Sequence, residues 1–267
     1  MYIQFIIILV LIVIVIGSIS IIKREFSYFQ KYENVRILNY IPISELYDSL
    51  KTGDIILFKS HSKSLSSTVL THVYYTHIGI VIKPNTYMHR RLNADKRLNA
   101  DEIPLYISET NPAFEYLPIN YNSKNFDLKP AKYTHNGWRT NNGTDLLPLL
   151  IRIKYYPGDS FIMSLNKKLD PKREDLLIKY AKEFCPYPTP VQGLQILMEQ
   201  KFTNKQKTDA KHCYQHVANL LDRINITNNL FSDYGVISIC KKLAYIYGET
   251  LNDGYMYNKP IKIVYDI

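Results

Sequence analysis

The chain is sparing with cysteine. Three cysteines in 267 residues, Cys185, Cys213 and Cys240, are too few and odd in number for a disulfide framework. A reducing compartment is the simpler setting, with one of the three cysteines a candidate for catalysis. No Cys-x-x-Cys and no His-Glu-x-x-His spacing occurs, which argues against a structural zinc site. Ten glycines and 13 prolines exclude a collagen-like or low-complexity chain. Signatures of RNA-recognition motifs, zinc fingers and helix-turn-helix modules are missing too. The formal net charge of +9 suits nucleic acid or an anionic membrane. The basic residues are scattered, however, with a modest cluster at Lys201, Lys205, Lys207 and Lys211. A solvated surface accounts for them, and no nucleic-acid partner is expected.

What the chain does have is apolar residues, 46% against 21% charged, enough for one ordinary domain with a real core. Ile, Asn, Lys and Tyr are used heavily, a bias that an AT-rich coding genome produces without physical meaning. Residues 3 to 22 are almost purely apolar. At a rise of about 1.5 Å per residue, such a run spans a bilayer core of about 30 Å. A cleaved signal peptide would want a basic n-region and a small-x-small site, but the n-region here has no Lys or Arg, and Gly17-Ser18-Ile19-Ser20 is a poor site inside a run that continues to Ile22. Residues 1–24 are therefore expected to be a transmembrane anchor, single-pass, with the lipid bilayer as partner. Lys23 and Arg24 follow the run and put the body on the cytosolic side. The sequons at Asn142 and Asn225 would matter only for a lumenal body.

Residues 25–44 are expected to be a connector and 45–267 the folded domain. A turn at Lys51-Thr52-Gly53-Asp54 feeds a short buried strand, Ile55 to Phe58. A second strand covers 76–82. With a period of two, Ile78, Ile80 and Ile82 share one face, and His77, Gly79 and Val81 the other. Gly79 leaves room over the strand for another element to approach. A tandem duplication, Arg91 to Asp95 and Arg97 to Asp101, expands a loop and is too short for a structural repeat. The next strand is 103–109, with Glu109 at its end. Residues 111–148, with several prolines and the only tryptophan, Trp138, are expected to be an insertion or lid. Residues 149–155 are expected to be another strand, closed by a turn at Pro157-Gly158-Asp159.

Asp170-Pro171 is a helix start, with Asp170 as N-cap and Pro171 at the first helical position. A second helix covers 191–201. A third runs from about Asp209 to Ile224, capped by Thr208 or Asp209. On it Cys213, Val217, Leu220 and Ile224 form one inward stripe. A further helix covers 235–247, and a final strand 261–265.

A thiol near a helix N-terminus has its thiolate stabilised by free N–H groups and the helix dipole. An imidazole takes its proton, and a third polar group fixes the imidazole. Against this stands the bland reading of Cys213 as a buried core thiol, and of His77 as a satisfied core histidine. His72, His212 and His216 compete as the base. His212 adjoins Cys213 but points about 100° away on a helix. His216, one turn on, either tunes the thiol or is a satisfied partner or a surface residue. His135 and Trp138 line a cleft or pin the loop. Cys185 and Cys240 are taken as structural.

The order of these pieces resembles a known family. Gly53-Asp54-Ile55-Ile56-Leu57-Phe58, Thr76-His77-Ile78-Gly79-Ile80-Val81, Ile107-Ser108-Glu109 and His212-Cys213-Tyr214-Gln215-His216-Val217 together resemble the permuted papain-like hydrolases of the NlpC/P60 superfamily. That superfamily includes YiiX-type proteins and, more distantly, lecithin:retinol acyltransferase. The histidine precedes the cysteine there, as here. The resemblance covers roughly residues 45–225. Where the family commonly has Cys-Ser-Glu, this chain has Cys213-Tyr214-Gln215.

The resemblance implies an α+β, circularly permuted papain-like fold, a small antiparallel sheet or barrel packed on helices. It implies Cys213 as nucleophile, His77 as general base and Glu109 as the orienting or substrate-recognising group, with no cofactor. The expected activity is a membrane-anchored thiol hydrolase or acyltransferase acting on a peptide amide or an acyl-lipid ester. The alternative is a non-catalytic membrane protein keeping the fold for binding or assembly. Composition and anchor would suit such a protein in the virion or host membrane of a large DNA virus.

Overall fold

The structure is a computed structural model. It describes residues 40–60, 73–83, 105–111, 116–118, 132–134, 137–139, 143–156, 158–188, 211–233 and 236–267. The expected anchor (1–24), most of the expected connector, the duplication at 91–101, His72, His135, the expected helix 191–201 and Lys201, Lys205 and Lys207 lie outside these residues. Among the described residues no helix is long and apolar enough to cross a membrane.

The fold is α+β. In chain order the elements are β1 (Tyr40–Pro42), α1 (Ile43–Leu46), β2 (Ile55–Ser60), β3 (His77–Ile82), β4 (Tyr106–Asn111), β5 (Tyr116–Pro118), β6 (Lys132–Thr134), β7 (Gly137–Arg139) and β8 (Gly143–Pro148). Then follow α2 (Leu149–Tyr155), β9 (Gly158–Met163), α3 (Pro171–Tyr180), α4 (Cys213–Arg223), α5 (Leu230–Asp233), α6 (Val236–Ala244) and β10 (Ile261–Val264). Seven strands form one sheet in the order β1-β10-β9-β2-β3-β4-β8, and β5-β7-β6 form a second, small one. The large sheet is antiparallel except where β1 runs parallel to β10.

Both faces of the large sheet are covered, and the side-chain alternation sorts its residues. Ile55, Leu57, Ile78, Ile80, Ile82, Phe161 and Met163 pack on one side with residues of α3, α4 and α6. Ile56, Phe58, Val81, Ile107, Leu147 and Ile162 pack on the other with α1 and α2. Double burial explains why β2 and β3 are nearly continuous apolar runs rather than alternating ones.

Gly53 and Asp54 lock the start of β2. Gly53 takes a φ of 99°, which a side chain disfavours. The Asp54 carboxylate accepts from Leu165 N at 2.8 Å and Lys51 N at 3.0 Å. The Gly-Asp pair thus ties β2 to the chain after β9, a structural duty.

Several expectations are corrected. Tyr40–Pro42, placed in the connector, forms an edge strand of the sheet. The sheet, expected to be small and antiparallel, has seven strands and one parallel pairing, β1 with β10. Gly143–Pro148, placed at the end of an insertion, is a fully buried strand paired with β4. Residues 149–155 are not a strand but α2. Pro148 cannot donate to a ladder and ends β8. Leu149, Leu150, Arg152 and Lys154 are good helix formers, and the Leu149 amide is taken up by the Leu105 carbonyl at 2.9 Å. The central strand β9 replaces the expected turn at 157–159 from Gly158 onward. The α3 start agrees with its sequence: Asp170 accepts from the Arg173 amide at 3.0 Å, with Pro171 first in the helix.

Candidate active site

His77 is the first residue of β3, and its position is set from both sides. Just before it, the Thr76 amide donates to the Phe58 carbonyl at 2.8 Å. The Thr76 hydroxyl accepts from the Ser60 amide at 3.0 Å and lies 3.2 Å from the Tyr156 hydroxyl. His77 pairs with Phe58 across the ladder, their rings 5.6 Å apart. Gly79 does open space beside it, but a side chain of β4 uses that space. A Cβ on Gly79 would lie 2.5 Å from Ile107 Cδ1.

Glu109 is fully buried in the middle of β4, two residues before the strand's end. Its Oε2 lies 2.7 Å from His77 Nε2. Its Oε1 lies 2.8 Å from Arg152 Nε and accepts from Asn111 Nδ2 at 2.8 Å. A buried carboxylate needs this many donors to keep its charge.

Cys213 is the first residue of α4, not the fifth residue of a longer helix as its sequence suggested. Lys211 stays outside the helix because its amide donates to the Pro186 carbonyl at 3.0 Å. His212 is the N-cap, and its amide donates to the Gln215 side chain at 3.0 Å. The inward stripe holds: Cys213, Val217, Leu220 and Ile224 are all buried. The Tyr214 hydroxyl donates to the Tyr75 carbonyl at 2.9 Å, tying the helix start to the segment that enters β3.

The two elements meet at one end of the sheet. The ring of His77 shares its face of β3 with Val81, while α4 covers the opposite face. Because both residues stand first in their elements, the Cys213 thiol and the His77 ring come within hydrogen-bonding reach around the sheet's end. Nε2 faces Glu109. Burial alone would lower the His77 pKa. Electrostatic interactions with Cys213 and Glu109 outweigh it and push the imidazole up to about 10. For Glu109 burial works upward, but Arg152 and then His77 bring the carboxyl down to about 2.

The other histidines have other duties. His216 is buried, its Nε2 2.9 Å from the Ser108 hydroxyl, and burial lowers it to about 3. It is the satisfied partner. His212 lies 3.4 Å from the Tyr187 hydroxyl, and burial lowers it to about 4. Cys185 and Cys240 are buried and form no disulfide, and burial raises Cys240 well above its ordinary value. Trp138 lies in β7 of the small sheet.

Sequence reasoning missed Arg152 and Asn111. Arg152 sat in a segment read as a strand, where a lone arginine looks like surface. Its one available signal was being an arginine in the middle of an apolar run. Among the described residues no group of three or more His, Cys, Asp and Glu side chains is placed to hold a metal ion.

No family model matches the chain, and no curated protein does. Among solved structures the chain is similar to the metalloprotein YiiX of Escherichia coli O157:H7, at 15% identity and a TM-score of 0.38. That match covers 81% of this chain and 97% of the other.

Proposed function

We propose that this protein is a thiol hydrolase or acyltransferase, cleaving an amide or ester through Cys213, His77 and Glu109. The observation that carries this reading is the position of His77, whose Nε2 lies 2.7 Å from the Glu109 carboxylate while the ring interacts electrostatically with Cys213. A histidine strand preceding the cysteine helix also fits a permuted papain-like domain.

In this reading His77 takes the thiol proton, and the Cys213 thiolate attacks the substrate carbonyl carbon. A carbon–sulfur bond forms, and the oxyanion is met by backbone N–H groups of the first turn of α4. The imidazolium gives its proton to the leaving amine or alcohol as the carbon–nitrogen or carbon–oxygen bond breaks. Water, deprotonated by His77, then attacks the thioester, releasing the acid and restoring the thiol. A second acyl acceptor in place of water makes the same site a transferase. Glu109 holds the ring and offsets its charge. The apolar residues 3–22 would anchor the domain on the cytosolic side of a bilayer, where acyl-lipid esters and membrane-near peptides are concentrated.

The test is labelling of the full chain with an electrophilic thiol probe at neutral pH, read by peptide mass spectrometry. Cys213 should react well ahead of Cys185 and Cys240, and Cys213→Ala should abolish the fast label. Fast labelling that survives C213A, or a Cys213 no faster than the other two, overturns the reading. The near-complete burial of Cys213, 8% exposed, favours a second reading: a non-catalytic protein that keeps the fold for binding or assembly. A slow Cys213 would support it.

A further inference from the structure

Glu109 does not stand alone on its face of the sheet. In the β4–β8 register its direct partner is Asp145, and paired residues of neighbouring strands point to the same face. Both are fully buried. Two carboxyl groups set opposite each other repel when both are ionised, and without water the repulsion is weakly screened. α2 brings a guanidinium to this spot. Arg152 is 1% exposed, and its guanidinium lies 5.3 Å from the Phe58 ring centroid and 5.1 Å from that of Tyr156. These rings hold the plane while Nε reaches Glu109 Oε1 at 2.8 Å. Asn111 Nδ2 takes the same oxygen. Oε1 is thus occupied, and Oε2 is left for His77.

We propose that Arg152 is a positioning residue of this site: it keeps Glu109 ionised beside Asp145 and turns one carboxylate oxygen to His77, and so sets the pH range in which Cys213 reacts. The inference rests on the reading of Cys213 as nucleophile. The titratable or charged groups facing Glu109 are His77 from β3, Arg152 from α2, Asp145 from β8 and, across the sheet, His216 from α4. Of these, Arg152 alone carries a permanent positive charge. Without it, burial drives a proton onto Glu109. A neutral Glu109 no longer supports the imidazolium, and the reactive thiolate is lost on the acid side first.

The experiment follows iodoacetamide alkylation of Cys213 in the full chain, peptide by peptide, from about pH 5 to about pH 9. In Arg152→Gln the acid limb should move up by about one pH unit or more, with alkylation near pH 6 slowed about tenfold. Arg152→Lys, which keeps the charge, should move it less than half as far. An R152Q profile that matches the wild type overturns the proposal, as does an R152K shift equal to that of R152Q. If R152Q does not fold, Tyr156→Leu replaces it, because it removes aromatic support for the guanidinium. A shift in the same direction supports the role and an unmoved profile overturns it. Failure of the thiol reading looks different: it shows in C213A and in the wild type, before any Arg152 variant is compared.

Discussion

His77 Nε2 and Glu109 Oε2 lie 2.7 Å apart, with the other Glu109 oxygen already held by Arg152 and Asn111. Both carboxylate oxygens therefore have partners, and Oε2 holds the imidazole that interacts with Cys213. His77→Gln removes the proton acceptor, so alkylation of Cys213 at neutral pH should fall about 100-fold. Glu109→Gln keeps a hydrogen bond but not the charge, and should cost about tenfold. Equal rates in wild type and H77Q, measured as pseudo-first-order alkylation, would show that the histidine does not activate the thiol.

Stability should depend on pH through the same pair. Glu109 is lowered from 4.5 to about 2, so its contribution is full above pH 4.5 and is lost as pH falls through about 2. His77 is raised from 6.5 to about 10, so its contribution is full below pH 6.5 and is lost as pH rises through about 10. His216 is lowered from 6.5 to about 3, and its contribution fades as pH falls from 6.5 through about 3. Urea midpoints across pH should show acid destabilisation beginning below 6.5 and alkaline destabilisation above it. E109Q should flatten the acid slope below pH 4.5, and an unchanged slope there would contradict the assignment.

Ser108 joins three elements. Its hydroxyl donates to the Ala181 carbonyl at 3.2 Å and therefore accepts from His216 Nε2–H, 2.9 Å away. Ser108→Ala leaves both partners buried and unpaired, at a cost of about 1–3 kcal/mol in chemical denaturation. Cys213 alkylation in the folded variant should keep its wild-type rate. A large loss of reactivity would assign Ser108 and His216 to the site itself.

Gly79 is required by its neighbour on β4. In Gly79→Ala the new methyl would meet Ile107 Cδ1 at 2.5 Å and Cγ1 at 2.6 Å, with the Ser108 carbonyl at 3.1 Å. Overpacking at this spot should cost about 1–3 kcal/mol and loosen the strand that carries Glu109. The double variant G79A/I107V should recover part of the loss, read from thermal melts. No recovery would place the strain at the Ser108 backbone instead.

The sequence alone determined those features that depend on near neighbours. Asp170-Pro171 specifies the start of α3 because cap and first helical residue are adjacent. The β-branched run from Ile78 to Ile82 specifies a strand, and its alternation separates His77 from the isoleucines that face α4. The stripe Cys213, Val217, Leu220, Ile224 specifies an inward cysteine. The pairing of His77 with Cys213 was approached through motif order, not through any local pattern.

Only tertiary structure decided the rest. Leu149 to Tyr155 satisfies a strand pattern and a helix pattern about equally well over seven residues. It is a helix in a fold where β8 occupies the place beside β4 and Pro148 ends that strand. That choice put Arg152 over Glu109, and no local signal encodes it. The start of α4 at Cys213 was decided by a hydrogen bond from Lys211 to Pro186, 25 residues earlier in the chain. The partners of Glu109 come from β3, β4 and α2, so its ionisation is a property of the assembled sheet. A sequence fixes which side chains can carry charge, and the register of distant strands fixes which of those charges meet.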